Sequence, residues 1–418
     1  MKKNFITGLF TGLFSGLFLV VLVGLAFIFL QPRIGNAIGE VKVEEYRADT
    51  AKAKGKQEVS YDEVIKKLSV MQMLVDNYYL EDVNKISFAD GIYKGFIASL
   101  KDPYSTYYTK EEYSALMESS SGVYYGIGAT VSQDTKTGII TIVKPFATGP
   151  AYKEGVLPGD ILYKVNDDEV TGVDLTEVVS KMKGAEGTTV DISVVREGET
   201  NPLKFTITRR KIEIPTIEYK MLDNNIGYIL VSEFDEITVR QFSAAVDNLE
   251  KQGMKGLIVD VRNNPGGLLQ SVVKILDRLL PPELLVYTED KNGKREEEKA
   301  EDNKKIDIPM AVLINGQSAS ASEIFAGTLQ DYDTAEIIGT TSFGKGIVQK
   351  VIPLSDGTAV KLTISKYYTP SGRNIHGAGI KPDIEIDLSE DMKKEVVIPI
   401  EKDNQLQEAI KTLMNQIK

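Results

Sequence analysis

The chain has 418 residues, 42% hydrophobic and 26% charged, a globular composition with room for more than one core. Its net charge of −11 argues against a nucleic-acid binder, and the absence of cysteine excludes disulfides, thiolate metal sites and a cysteine nucleophile. The single histidine, His376, excludes a two-histidine zinc motif, and any Ser-His-Asp triad would have to use it.

Lys2 and Lys3 precede an uncharged run over residues 5–30. A bilayer core needs about 20 apolar residues, whereas a signal peptide's apolar region runs only roughly 7–15, so residues 1–33 read as an uncleaved membrane anchor. The two lysines place the N-terminus in the cytoplasm and the bulk of the chain outside, giving a single-pass protein of the cell membrane. Residues 34–58 are polar without a period and read as a linker. Residues 59–118 are helical. Val64, Leu68, Met71, Leu74 and Val75 recur at helical spacing in a first helix. Ile92, Phe96, Ile97 and Leu100 give a second helix an inward face, and a third opens at Thr109 with Glu112 placed as in a capping box.

Over residues 119–211 the pattern becomes short β-rich runs ("GIITIV", "DILYKV", "TVDISVV", "LKFTITR") separated by turn residues. Over 212–390 apolar strands ("IGYILV", "KGLIVDV", "PMAVLIN", "AEIIG") alternate with amphipathic helices, the signature of an α/β crossover domain. The stretch "EDKNGKREEEKAEDNKK" reads as an exposed charged loop. Residues 391–418 form a polar tail with a helix whose apolar positions include Leu406, Ile410 and Met414. The fold class is thus α/β and multidomain: an N-terminal transmembrane helix, a helical segment, a small barrel-like β-rich domain, an α/β domain and a helical tail.

"GTTSFGKGI", residues 339–347, nearly matches a phosphate-binding loop, but Gly346 stands where Ser or Thr would hold magnesium. A β-branched run rather than a helix follows, so no nucleotide is expected. In "NGQSASASEIFAGTL", Ser318, Ser320 and Ser322 lie between a buried strand and a helix and cannot all be caps. One serine at that corner would have the next amide pointing from a helix N-terminus at an anion, half of an oxyanion hole. "RNNPGG", residues 262–267, is a glycine-rich turn after another buried strand and offers the other half. Such loops collect beyond the carboxyl ends of parallel strands. A serine nucleophile needs a base. Lys345, flanked by Phe343, Gly344, Gly346 and Ile347 with no acid beside it, suits an amine whose pKa is lowered by burial. Gln349, four residues on, falls on the same face of a strand and can hold the neutral amine.

These motifs, with "DPYSTYYTKEEY", "YYGIGA", "GPAYKEGVLPGDIL" and "YYTPSGRNIHGAGIKPDI", resemble the carboxy-terminal processing peptidases over residues 60 to the end. That family consists of tail-specific serine endopeptidases with a Ser-Lys dyad and a PDZ domain, and the anchored form is most like its Gram-positive members. The resemblance implies a PDZ domain at 119–211 and a crotonase-like protease domain at 212–390. It implies Ser320 as nucleophile, Lys345 as base 25 positions later, Gln349 orienting the lysine, and an oxyanion hole from the amides of Gly266 and Ala321. Asp331 and Tyr332 complete the motif with structural roles. The PDZ carboxylate loop would be Tyr125-Gly126-Ile127-Gly128, binding apolar substrate C-termini. No metal or other cofactor is implied. Partners are protein or peptide substrates, the membrane and a second copy of the chain, through the N-terminal helices and the tail. A catalytically silent PDZ scaffold is the alternative; such a relative would be expected to lack Ser320 or Lys345, and both are present.

Overall fold

The computed structural model describes residues 59–417 other than 84–85, 302–304 and 396–397. The expected membrane anchor and linker lie outside the described residues, and no described helix is long and apolar enough to cross a membrane. The chain divides into two compact units at residue 84. In the first, α1 (Tyr61–Tyr78) starts at Ser60, whose side chain accepts from the Glu63 amide, and it buries none of its residues. Val64, Met71 and Leu74 remain exposed.

The second unit opens with α2 (Ile86–Ala98), β1 (Thr106–Tyr108) and α3 (Lys110–Ser121). Of the inward face expected for α2, Ile97 is buried, but Ile92, Phe96 and Leu100 are exposed. Helical spacing identifies an apolar face, not what covers it. The capping box of α3 forms as expected: the Glu112 amide donates to Thr109 Oγ1 and the Thr109 amide to Glu112 Oε2.

A β-rich body follows. It comprises β2 (Val123–Gly126), β3 (Ala129–Gln133), β4 (Ile140–Pro145), α4 (Pro150–Lys153), β5 (Ile161–Val165), β6 (Asp168–Glu169), α5 (Leu175–Met182), β7 (Thr189–Val195), β8 (Leu203–Thr208) and β9 (Arg210–Glu213). Strands β3-β4-β5-β7-β8 form an antiparallel sheet and β2 pairs with β9. Ile140, Ile142, Leu162, Val190, Ile192 and Ile207 fill its core, two-residue alternation putting them on one face.

The α/β body comprises β10 (Ile217–Leu222), β11 (Ile226–Val231), α6 (Thr238–Lys251), β12 (Gly256–Asp260), α7 (Leu269–Leu279), β13 (Leu284–Asp290), β14 (Arg295–Lys299), β15 (Met310–Ile314), α8 (Ala321–Asp331), β16 (Ala335–Gly339), β17 (Ile347–Pro353), β18 (Ala359–Tyr368), β19 (Ile384–Glu385) and α9 (Asn404–Gln416). One sheet runs β10-β11-β12-β15-β16-β19 and is parallel from β11 onward. Strands β12 and β15 are buried along their whole length, which is why they read as continuous apolar runs. The second sheet runs β1-β18-β13-β14, with β17 on β18.

Two expectations are corrected. The charged stretch read as a loop contains a hairpin, Thr288 facing Glu296 and Glu289 facing Arg295 across β13 and β14. Charge marked it as solvated but did not report backbone conformation. The tail helix α9 does not present its apolar face outward. Leu406, Ala409 and Leu413 are buried against Ile258, Ala311, Leu313 and Ile338 of the parallel sheet. Met414 alone of the three expected positions is exposed, Ile410 packing against the same cluster, so the tail covers its own chain. Arg262 fastens it, pairing with Asp260 and, 2.8 Å away, with Asp403 at the α9 N-terminus.

Candidate active site

The loops after β12, β15 and β16 leave the same edge of the sheet, so RNNPGG, SASAS and SFGKG converge as the strand pattern implied. The three serines have separate surroundings. Buried Ser318 donates its hydroxyl to Val261 O at 2.7 Å and accepts from the Asn315 amide. Buried Ser322 donates to Asn264 O at 2.9 Å. They bind the strand-to-helix corner to the residue after β12 and to the RNNPGG loop that follows it. Ser320, half-buried, stands at the cap of α8 with φ 55° and ψ −113°. Such a conformation costs a residue with a Cβ roughly 1–3 kcal/mol and persists only where its surroundings enforce it. They do so from both sides: the Ser320 amide donates to Glu323 Oε2 at 2.8 Å, and its carbonyl accepts from the Tyr367 hydroxyl at 3.1 Å. Burial pushes the Tyr367 hydroxyl well above its ordinary value, which keeps it a donor.

Ala321 is the first residue of α8, where helix amides lack intrahelical partners and the dipole favours negative charge. Gly266 lies against it. A Cβ on Gly266 would sit 2.8 Å from Ser320 Cβ and 3.0 Å from Ala321 N, and its φ is 108°, so only glycine fits. The Gly266 amide donates to Asn264 Oδ1 at 2.8 Å within its own turn. The fold therefore puts Gly266 beside Ser320, with its N–H engaged inside the loop.

Lys345 is half-buried, its Nζ 5.1 Å from the centroid of the Tyr104 ring. Burial and the nearby Lys361 charge hold its amine below the ordinary lysine value, while Glu323 opposes them. The close approach expected of its flanking glycines is present: a Cβ on Gly346 would meet His376 N at 2.5 Å. The His376 side chain is exposed.

The residue that sequence reasoning missed is Glu323. No acid neighbours Lys345 along the chain, but the fold brings this one. Fully buried, its carboxylate accepts from the amides of Ser320 (2.8 Å), Gly344 (2.7 Å) and Lys345 (2.8 Å) and from the Ser342 hydroxyl (2.6 Å). The available signal was the capping-box spacing of Ser320 and Glu323 at a helix start. Tyr104, in the quoted "DPYSTYY", carried no signal of its own.

Gln349 does not share a strand face with Lys345. β17 begins at Ile347, after Lys345, and its pairing with β18 shifts between Val348 and Gln349, so two-residue alternation cannot be counted through. Gln349 Nε2 and Oγ1 of its cross-strand neighbour Thr363 are buried and lack hydrogen-bond partners among the described residues. Asp331 pairs with Arg373 and accepts from the Ser371 amide, and the Tyr332 hydroxyl donates to Leu284 O, so both serve packing.

In the β-rich body Tyr125 and Gly126 end β2, and Ile127 and Gly128, with φ 76° at the glycine, turn into β3. A groove of about 410 Å³ beside them is lined by Ile127, Ala129, Val131, Phe146, Val179 and Met182. Lys183 at its rim pairs with Glu118 of α3 and lies 5.2 Å from the Tyr124 ring centroid.

Comparison with known proteins identifies the family. The profile of "Peptidase family S41" matches residues 225–386, that of "PDZ domain" residues 125–207 and that of "Activating protease CtpB N-terminal domain" residues 21–112. Carboxy-terminal processing protease CtpA of Bacillus subtilis (strain 168) is 40% identical over 318 residues, covering 76% of this chain and 67% of the relative. Carboxy-terminal processing protease CtpB of the same organism is 37% identical over 329 residues, covering 78% and 68%. The solved structure of a putative S41 protease from Bacteroides fragilis, 17% identical, matches with a TM-score of 0.52 over 81% of this chain and 93% of that one, a likeness of fold. With relatives this similar over two thirds of their length, the chain belongs to peptidase family S41 and is a carboxy-terminal processing serine protease that carries a PDZ domain.

Proposed function

We propose that the protein cleaves protein substrates near their C-termini by a Ser-Lys dyad, Ser320 and Lys345. The observation that carries this reading is the division among the three serines. Ser318 and Ser322 are committed to backbone carbonyls, while Ser320 is held in a strained corner conformation at a helix N-terminus. The depressed, half-buried amine of Lys345 supplies the partner. Ser320 Oγ attacks the scissile carbonyl carbon as Lys345 takes its proton. The oxyanion receives the Ala321 amide and the Gly266 amide, the latter sharing its hydrogen with Asn264. Collapse breaks the C–N bond and Lys345 returns the proton to the leaving amine; water then attacks the acyl-enzyme by the same route. Gln349, with its unpartnered Nε2, steadies the lysine.

The loop 125–128 takes the substrate's terminal carboxylate and the groove beside it the last side chains, so apolar C-termini are preferred. The groove couples to the protease through α3. The Glu236 amide donates to Ser120 O and Gly122 packs on Ile237, while Phe234, in the same loop, donates its amide to Gly266 O. Occupying the groove thereby gates the active site. The anchor at residues 1–33 holds the enzyme at the cell membrane with its catalytic domain extracytoplasmic. The uncovered apolar side chains of α1 support homodimerisation, which a monomer in sedimentation velocity would refute.

The test uses residues 34–418 and an unfolded model protein. Ser320→Ala and Lys345→Ala are each expected to abolish cleavage and His376→Ala to spare it; cleavage surviving in both dyad variants sinks the assignment. A peptide with an apolar C-terminus should raise the rate, and its amidated form should not.

A further inference from the structure

The geometry points to Glu323 as the positioning residue of the site, a single carboxylate that fixes the nucleophile corner and the lysine loop in one frame and sets the electrostatic environment of the lysine amine. The inference rests on the Ser-Lys reading above.

All four atoms that Glu323 contacts are donors. Oε2 takes the amides of Ser320 and Lys345; Oε1 takes the Gly344 amide and the Ser342 hydroxyl. Two of the donors are therefore the backbone amides of the two dyad residues, held to one oxygen at 2.8 Å each. An uncharged amide of the same shape is a poor replacement: with the glutamine oxygen on the Ser320 and Lys345 amides, its NH₂ faces the Gly344 N–H and the Ser342 hydroxyl, where the carboxylate accepted from both. Glu323 has a second consequence, through its charge. The groups acting on the Lys345 amine are the Tyr104 ring, Lys361 from β18 and Glu323 from α8, while the exposed His376 acts on Asp102. Glu323 is the negative member opposing Lys361. It favours the protonated amine before attack is complete and stabilises the ammonium formed when Ser320 is deprotonated.

The experiment measures kcat and KM against pH for the full chain, for Glu323→Gln and for Glu323→Asp. In Glu323→Gln kcat should fall about 10²-fold, as expected for a misplacement on the order of 1 Å, with KM little changed. The acidic limb of its pH profile should also move to lower pH, because a negative neighbour of the amine is gone. Glu323→Asp keeps the charge but not the reach; it should lose kcat without moving the limb. A merely structural role predicts losses with the limb unmoved in both, and that result overturns the inference. Should Glu323→Gln fail to fold, Ser342→Ala removes one of the four donors and should lower kcat about tenfold, the worth of one hydrogen bond to a charged group; an unchanged kcat overturns it equally. Residual cleavage by Lys345→Ala would refute the dyad reading instead.

Discussion

Gly346 adjoins the base without touching the chemistry, so a methyl group there tests whether backbone approach places Lys345. In Gly346→Ala the new Cβ would meet His376 N at 2.5 Å, His376 Cα at 3.0 Å and His376 Cβ at 3.1 Å. Two of these are backbone atoms and the third is bonded directly to the backbone, so none can rotate aside. Ordinary contact begins near 3.4 Å, so the two loops must separate by roughly 0.9 Å. The 374–379 loop is bound to the lysine loop by the Gly377 amide donating to Gly344 O at 2.9 Å. On its other side the lysine loop is fixed to Glu323 through the Gly344 and Lys345 amides. Strain therefore falls on Lys345. Overpacking of this kind costs about 1–3 kcal/mol of stability, and a displacement near 1 Å at a reacting group about 10² in kcat. Steady-state cleavage of an unfolded protein, with kcat and KM resolved, and thermal unfolding of the same samples give the two numbers. Gly91→Ala is the control: nothing lies within 4 Å of its Cβ on α2, so kcat should hold while stability rises by about 0.5–1 kcal/mol. A folded Gly346→Ala enzyme with kcat within about threefold of wild type would show that this approach does not place the base.

Cleavage should rise with pH as Lys345 loses its proton, beginning below the range of an ordinary lysine because burial and Lys361 disfavour the charged amine. Lys361→Met should move that rise to higher pH, and a kcat/KM profile identical to wild type would argue against the coupling. Asp235 is pushed up to about 7 by burial and by Glu233. Its folded value exceeds the unfolded 3.8, so the native state holds the extra proton and stability declines as pH rises from 3.8 through about 7. Asp235→Asn should match wild type in urea unfolding at the acid end and exceed it at about pH 8; equal midpoints at both ends refute the effect. Arg262→Met leaves Asp260 and Asp403 buried without their cation and should cost about 3–5 kcal/mol in denaturant unfolding, with α9 exchanging its amides faster. A loss below about 1 kcal/mol would mean the tail is held by its apolar face alone.

Much of this architecture was legible in the sequence because it follows from local rules. Period-2 runs marked the β-rich body, continuous apolar runs marked the buried strands β12 and β15, and Thr109 with Glu112 marked the start of α3. The phosphate-loop reading of "GTTSFGKGI" failed on local grounds as well, since a strand follows it. Coverage was not legible. The spacing of α2 and α9 announced apolar faces, yet three of the four expected positions on α2 stay exposed while α9 closes over its own sheet. What lies against a face is decided by segments distant in sequence. The site divides in the same way. Residue types and spacing singled out the serine cluster and Lys345. Which serines are tied to carbonyls of another loop, that Gly266 lies against Ser320, and that Glu323 joins the nucleophile corner to the lysine loop are contacts between strand ends. Only the register of the parallel sheet could bring those ends together, because hydrogen bonds between loops far apart in the chain leave no periodic trace in it.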